Sequence, residues 1–251
     1  MKNSFISKPQ DCINSQHTLL TKHLHITTLT SVLGFSMGGQ QAYYWLAMHG
    51  TSPHPFVQSA VIICSSAKTS GHNYAFLEGP TSALIASHDY DQGRYKQNGV
   101  KPIEGLRAFG RAYAAWLTSA EWFRRELWRE LGAGSLQEWL HPPAGKGSFE
   151  DWDSEDLLVL ARMWQAGDIG NVAGNGDYKN ALESVTARVL VMPSMTDQYF
   201  PPEDGENEVR FLGNGVFEAI PTVWGHVAGG GASRGDVEWM DERIGRFLEG
   251  E

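Results

Sequence analysis

The residue best placed to do chemistry is Ser36, in the pattern Gly34-Phe35-Ser36-Met37-Gly38. The apolar run 29–33 comes before this G-x-S-x-G pattern, and 40–48 reads as a helix. A strand, a tight turn and a helix in this order predict a nucleophile elbow, whose strained serine is tolerated because the two flanking glycines are small. The helix N-terminus favours developing negative charge, and the backbone N–H of Met37 is the predicted oxyanion donor. The alternative is a glycine-rich turn with an incidental serine.

A serine hydroxyl is a weak nucleophile, so this interpretation requires a base and a group that orients the base. Asp197 follows the predicted buried strand 187–193, and His226 lies in the loop after the predicted strand 216–220. Open parallel sheets carry their functional loops at the carboxyl ends of their strands. We therefore expect Ser36, Asp197 and His226 to meet there, in the chain order serine, acid, histidine.

Each partner also has a simpler interpretation. Asp197 is a residue type common in turns and at helix caps. His226 precedes the flexible run 228–232 and would then be a solvent-exposed loop histidine. The sequence has no H-E-x-x-H motif, no paired C-x-x-C and no acidic cluster at ligand spacing, so we predict no metal site.

Composition favours an ordinary globular enzyme. The 251 residues, 41% hydrophobic and 20% charged, suit one α/β domain over 1–251. The net charge of −9 argues against nucleic acid and anionic membrane surfaces as partners. The two cysteines, Cys12 and Cys64, predict no disulfide framework, and the start of the sequence lacks an apolar leader. We therefore expect a cytoplasmic location.

A long insertion, approximately 71–180, separates the elbow from the acid and the histidine. Apolar residues recur at helical spacing in 106–117, 121–131 and 154–165, and most of the tryptophans fall in or near the insertion. We expect a helical cap over the strand ends. Its aromatic residues build the core of the cap, line a substrate pocket, or do both.

Four stretches of the chain carry a resemblance to a known family. They are Gly34-Phe35-Ser36-Met37-Gly38-Gly39-Gln40-Gln41-Ala42, Gly105-Leu106-Arg107-Ala108, Asp197-Gln198-Tyr199-Phe200-Pro201-Pro202 and Gly225-His226. From about Asp11 to its C-terminus the chain resembles the homoserine O-acetyltransferase family of the α/β-hydrolase superfamily.

This resemblance implies an α/β-hydrolase-type parallel sheet, here its C-terminal half of about four strands, with a helical cap insertion. It implies that a triad of Ser36, Asp197 and His226 moves an acyl group to an alcohol through an acyl-serine intermediate. The partners implied are a small-molecule acyl donor, typically acetyl-CoA, and a small-molecule acceptor. No permanently bound cofactor is implied.

The cap departs from the family pattern at one informative place. Members that acetylate homoserine resemble one another in a Tyr-Arg pair whose arginine meets the substrate carboxylate, and the corresponding pair here reads Trp116-Leu117. Loss of such a charge-assisted contact typically costs about 1.5–3 kcal/mol. Homoserine is therefore not the expected acceptor. Arg107 and Arg111 are the candidate replacements, and Trp116 is the third predicted substrate-binding residue.

The segment before the elbow is also short for the family. About thirty-five residues precede Ser36, whereas four further strands need on the order of 80–100 residues. We therefore expect an N-terminally shortened sheet with an exposed edge, through which a homo-oligomer forms, and no second oxyanion loop. Loss of one oxyanion donor typically lowers kcat by about 10²–10³. Three hypotheses stay open: acyl transfer to an alcohol, ester hydrolysis, and a catalytically impaired pseudo-enzyme or fragment.

Overall fold

A computed structural model of the protein describes residues 8–142 and 149–250. Its sheet contains β1 (Val32–Phe35), β2 (Ser59–Ile63), β3 (Arg188–Met192) and β4 (Gly215–Phe217), in the order β1-β2-β3-β4. All three pairings are parallel. The prediction of a parallel sheet of about four strands is confirmed. The parts of the predicted domain and cap at 1–7, 143–148 and 251 lie outside the described residues.

Helices connect and cover these strands. In the described part of the chain they are α1 (Pro9–Thr18), α2 (Met37–His49), α3 (Gly71–Ile85), α4 (Ile103–Leu117), α5 (Ala120–Arg124), α6 (Leu136–Leu140), α7 (Ser154–Gln165), α8 (Tyr178–Glu183), α9 (Pro202–Val209) and α10 (Arg234–Glu249). A π-helical turn, Leu19–His23, extends α1, and short 3-10 turns include Gly225–Ala228. Nowhere in 8–142 or 149–250 does a helix have both the length and the apolar character that crossing a bilayer requires.

Three strands differ in extent from the sequence prediction, β3 by one residue at each end. β1 starts at Val32 and includes Gly34, which pairs with Ile62, so the strand runs directly into the elbow. The apolar run 29–33 predicted from the sequence therefore overlaps β1 only at Val32 and Leu33. β4 stops at Phe217, although Ile220 still forms an isolated parallel bridge to Ser194.

Apolar layers cover both faces of the sheet. Every residue of β2 is buried, as expected for a strand covered on both sides. Because successive side chains alternate between the two faces, Ile62 packs with the residues of α2, while Val61 and Ile63 pack toward α10. The sheet is thereby fixed between α2 and α10, and its carboxyl edge is left to the functional loops.

The segment 71–180 contains α3 to α7 and the start of α8. Within it, the fully buried Leu84 and Leu106 join α3 to α4. A second apolar cluster includes Phe76, Trp164 and Phe200, and therefore links this helical segment to the loop after β3. The packing places the helices directly above the loops that carry the predicted triad.

Candidate active site

The elbow places Ser36 at the end of β1 and at the N-cap of α2. Its backbone has φ 57° and ψ −125°, an unfavourable conformation for a residue with a side chain. The Ser36 N–H donates to the Ile63 carbonyl at 3.0 Å, so the neighbouring strand holds the turn in place. This conformation projects the hydroxyl beyond the sheet edge.

The steric demand for glycine falls at Gly34 and Gly39. A Cβ on Gly34 would lie 2.1 Å from the Gly38 carbonyl oxygen, and one on Gly39 would lie 2.5 Å from the Cβ of Ser65. A Cβ on Gly38 would meet no described atom within 4 Å. The expectation that small size is needed at Gly34 is met, whereas Gly38 takes part through its backbone and Gly39 is the second crowded position.

The structure brings the three predicted side chains together in one hydrogen-bonded chain. His226 Nε2 lies 2.9 Å from Ser36 Oγ, and His226 Nδ1 lies 2.7 Å from Asp197 Oδ2. The residues are far apart in sequence, and each belongs to a different loop at the carboxyl edge of the sheet. With a proton on Nδ1, Nε2 is free to accept the Ser36 proton, which is the arrangement needed for general-base activation.

Backbone donors hold the Asp197 carboxylate in place. Its Oδ1 accepts from the N–H of Tyr199 at 2.8 Å and from the N–H of Phe200 at 3.1 Å. Asp197 is 5% exposed. These contacts occupy Oδ1 and leave Oδ2 free to bond to His226, so the orientation of the carboxylate toward the imidazole is fixed. The alternative of an incidental turn former does not explain a buried acid bonded to a histidine.

Aromatic rings enclose His226, which is 4% exposed. Its ring centroid lies 4.7 Å from that of Phe35 and 4.9 Å from that of Tyr199. Just after it, the backbone approaches the sheet so closely that a Cβ on Gly229 would lie 2.7 Å from Ile63. The alternative of an exposed loop histidine is therefore wrong.

A buried thiol lies beside the acid and the base. One ligand atom each from Cys64, Asp197 and His226 lies within 4.8 Å of the others. Burial, reinforced by the nearby Asp197 carboxylate, raises the pKa of the Cys64 thiol well above its usual range. The 2.7 Å contact between Asp197 and His226 is a hydrogen bond, shorter than the roughly 3.3 Å between ligands of one tetrahedral zinc with bonds of about 2.0 Å. The geometry therefore fits a hydrogen-bonded pair better than a metal-ligand set.

Met37, the predicted oxyanion donor, is the first residue of α2. First-turn N–H groups have no partner within their own helix, and their partial charges form the positive end of the helix dipole. Its N–H is therefore suitably placed beside the serine, and its role in stabilising an oxyanion stays a prediction.

A cavity of about 1660 Å³ opens above the elbow. Its described lining residues include Ser36, Met37 and His226 from the triad region, and Tyr113, Leu117 and Trp139 from the helical segment. Most of the lining is aromatic and apolar, as is usual for small-molecule sites. Five charged side chains also line it: Glu104, Arg107, Arg111, Glu138 and Glu150. The Ser36 side chain therefore lines a cavity large enough to hold a small molecule.

The three predicted substrate-binding residues differ in their placement. Arg107 lines the cavity, but its Nε donates to Glu150 at 2.9 Å and its Nη1 to Glu104 at 3.2 Å, so its charge is already paired. Arg111 lines the same cavity, and the salt bridges of the described residues do not include it. Trp116 is not among the described lining residues; its ring lies 5.3 Å from that of Phe76.

The sequence analysis did not identify the turn after α4 as part of the site. Gln198 Nε2 donates to the Thr118 carbonyl at 2.9 Å, and the Ser119 hydroxyl donates to the Val223 carbonyl at 2.5 Å. The only sequence signal was Gln198, which directly follows the predicted acid. Its partner lies 80 residues away, and periodicity carries no information on such a contact.

The chain is similar in sequence to known esterases and homoserine acyltransferases. No protein-family model matches the chain. The chain is 30% identical over 238 residues to an ethyl acetate hydrolase of Pseudomonas veronii, covering 95% of this chain and 66% of that protein. It is 29% identical over 221 residues to a homoserine O-acetyltransferase of Chloroherpeton thalassium, covering 86% of this chain and 56% of that protein.

Among solved structures, the acetyl esterase MekB superposes with a TM-score of 0.89 at 28% identity, covering 97% of this chain and 69% of that one. The chain therefore spans between half and just under two thirds of the length of the two curated relatives, and somewhat more of this structure. Within that span, the fold is the α/β-hydrolase fold.

Proposed function

Because the chain belongs to the homoserine O-acetyltransferase-like family of the α/β-hydrolase superfamily, we propose that it is a serine-dependent acyltransferase. The single observation that carries the proposal is the hydrogen-bonded chain from Ser36 through His226 to Asp197. The substrate is an ester or thioester, whose acyl group passes through an acyl-Ser36 intermediate to an alcohol.

The proposed mechanism follows from the contacts of His226, whose Nε2 lies beside Ser36 Oγ and whose Nδ1 lies beside Asp197 Oδ2. Ser36 Oγ attacks the acyl carbonyl carbon while His226 Nε2 takes its proton, and Asp197 stabilises the imidazolium and holds its tautomer. The Met37 N–H donates to the oxyanion. The intermediate collapses to acyl-Ser36, and His226 returns the proton to the departing alcohol or thiol. An acceptor alcohol then loses its proton to His226 Nε2 and attacks the acyl carbonyl carbon. As the bond to Ser36 Oγ breaks, His226 returns that proton to Ser36, which restores the free enzyme.

Ester hydrolysis is the second candidate, with water as the acceptor in place of the alcohol. The observation that favours it is the similarity to proteins named as an ethyl acetate hydrolase and an acetyl esterase. The chemistry of acylation is the same in both candidates. They differ only in what the cavity holds beside acyl-Ser36 in the second half of the reaction.

An acceptor-competition experiment tests these candidates. The protein is given p-nitrophenyl acetate with rising concentrations of several alcohols, and p-nitrophenol, acetate and acetylated alcohol are measured separately. A transferase yields mainly acetylated alcohol at saturating acceptor, whereas a hydrolase yields acetate throughout. Absence of p-nitrophenol release above the Ser36→Ala background would favour the third hypothesis, a catalytically impaired pseudo-enzyme or fragment.

The remaining proposals concern the setting of the reaction. We propose one α/β-hydrolase-type domain with a cap at about 71–180, and acetyl-CoA or another activated acyl compound as co-substrate. A cytoplasmic location is proposed because both cysteines, Cys12 and Cys64, are free thiols. A homo-oligomer is proposed because Leu33 on β1 is 58% exposed, and β1 pairs with β2 alone among the described strands.

A further inference from the structure

The turn that ends α4 is in contact with both loops that carry the acid and the base. The buried Thr118 carbonyl accepts from Gln198, the residue directly after Asp197. The neighbouring Ser119 hydroxyl donates to the Val223 carbonyl, three residues before His226 in the chain. One two-residue turn therefore connects the helical segment to both triad loops.

The histidine loop also packs against this turn through its backbone. Gly225 has φ +63°, and a Cβ at this position would lie 2.6 Å from the Thr118 carbonyl carbon. The Gly225 N–H donates to Thr196 Oγ1 at 3.0 Å, and that hydroxyl donates to the Thr222 carbonyl at 3.0 Å. The two loops are thus bonded to each other as well as to the turn.

The helix that ends in this turn, α4, also lines the cavity. Leu106, Tyr113 and Leu117 of α4 all line it, so the helix that meets the contents of the cavity ends in the turn that holds the triad loops. A small displacement of the turn would move His226 relative to Ser36. Reactions that depend on such alignment are sensitive to displacements of about 1 Å, which lower rates by about 10²-fold.

We propose that Gln198 and Ser119 are positioning residues, which fix the Asp197 and His226 loops against the end of α4. This inference rests on the proposed function, since it concerns the alignment of the same triad. The hydrogen bonds of the described residues join neither side chain to the Ser36 hydroxyl or to the imidazole. Their effect is exerted through the loop backbones and the Thr118 carbonyl.

The main variant is Gln198→Met, which removes the amide donor while keeping a side chain of similar length. Its control is Gln165→Met on α7, because Gln165 Nε2 also donates to a backbone carbonyl, that of Tyr74, at 3.3 Å. A second pair is Ser119→Ala and Ser119→Thr, of which only threonine keeps the hydroxyl. This pair decides the question if Gln198→Met does not fold.

The measurements are kcat and KM for an ester, the second-order rate of labelling by a small fluorophosphonate, and the melting temperature. We expect Gln198→Met and Ser119→Ala to lower kcat and the labelling rate by about 10- to 100-fold, with KM changed by less than about twofold. Gln165→Met and Ser119→Thr should stay near wild type. A small fluorophosphonate does not depend on binding to the cap for its reaction with Ser36. Slower labelling of a variant therefore reports misalignment of the triad rather than weaker substrate binding.

Wild-type kcat and labelling rates in Gln198→Met or Ser119→Ala would overturn the proposal. So would losses of activity that follow the melting temperature alone and appear equally in Gln165→Met. A wild-type protein that the probe does not label would instead contradict the proposed function, so the two failures are distinguishable.

Discussion

Replacing Glu208 with glutamine tests how a buried carboxyl beneath the site affects stability. Glu208 lies near the end of α9 and is 4% exposed. Its Oε2 accepts from the Tyr43 hydroxyl of α2 at 2.7 Å, and its Oε1 accepts from the Ala67 N–H at 2.7 Å. It therefore joins α2, which begins directly after Ser36, to α9, which follows the Asp197 loop.

Burial raises the pKa of Glu208 from 4.5 to about 8. Between these values the folded protein keeps a proton on the carboxyl that the unfolded chain has lost, so stability must fall as pH rises. Each pKa unit corresponds to about 1.4 kcal/mol. The cost is thus near zero below pH 4.5, about 3 kcal/mol at pH 7, and about 5 kcal/mol at full ionisation above pH 8.

The assay is urea unfolding of the wild type and of Glu208→Gln at several pH values from 5.5 to 7.5. Glutamine keeps the shape and an acceptor oxygen but does not titrate. We expect the free energy of unfolding of the wild type to fall relative to the variant by about 1.4 kcal/mol for each pH unit. The control is Glu206→Gln. Glu206 lies on the same helix, is exposed, and its Oε1 lies 3.3 Å from Arg210 Nη2.

Parallel stability curves for the wild type and Glu208→Gln would refute the reasoning, because the carboxyl would then titrate alike in the folded and unfolded protein. A wild type that gains stability as pH rises, relative to the glutamine variant, would reverse the sign and show that its hydrogen bonds outweigh its burial.

Three further outcomes are expected. Gly225→Ala should destabilise the protein by about 1–3 kcal/mol and lower activity, because its positive φ and its contact with Thr118 both exclude a Cβ. Thermal unfolding measures this effect, and the control is Gly245→Ala, where a Cβ meets no described atom within 4 Å. Saturable acetylation of homoserine should be absent or weak, because Leu117 lines the cavity and has no charge to offer a carboxylate; efficient turnover of homoserine with acetyl-CoA would contradict this. Light scattering should find the purified chain associated through β1, and a monodisperse monomer with a cooperative melt above about 50 °C would show that this edge needs no cover.

The positions of Ser36, Asp197 and His226 could be predicted from the sequence because the pattern of the fold is local. Each residue follows a recognisable apolar strand, and consecutive parallel strands place their carboxyl ends on one edge. Residues that each directly follow a strand of such a sheet are therefore expected to lie close to one another. Apolar residues at helical spacing in 106–117 and 154–165 likewise predicted helices where the structure has α4 and α7. The role of 71–180 as a cap stays a prediction.

Contacts between distant side chains could not be predicted in this way. The bond between Tyr43 and Glu208 joins residues 165 apart, and the bond between Gln198 and Thr118 joins residues 80 apart. Both bonds depend on the positions that distant helices and loops take relative to one another. Helix and strand propensity, and the spacing of apolar residues, carry no information on those positions. The paired charge of Arg107 is another such result, because Glu150 reaches it from 43 residues away.

All the other proposals depend on Ser36 being the nucleophile of an acyl-transfer reaction. Intact-mass spectrometry after treatment with a fluorophosphonate tests this assignment, with peptide mapping of the modified residue and Ser36→Ala as the matched protein. We expect one adduct, located on Ser36, in the wild type and none in Ser36→Ala, with both proteins folded. An adduct formed equally by Ser36→Ala, or a folded wild type that forms none, would overturn the assignment.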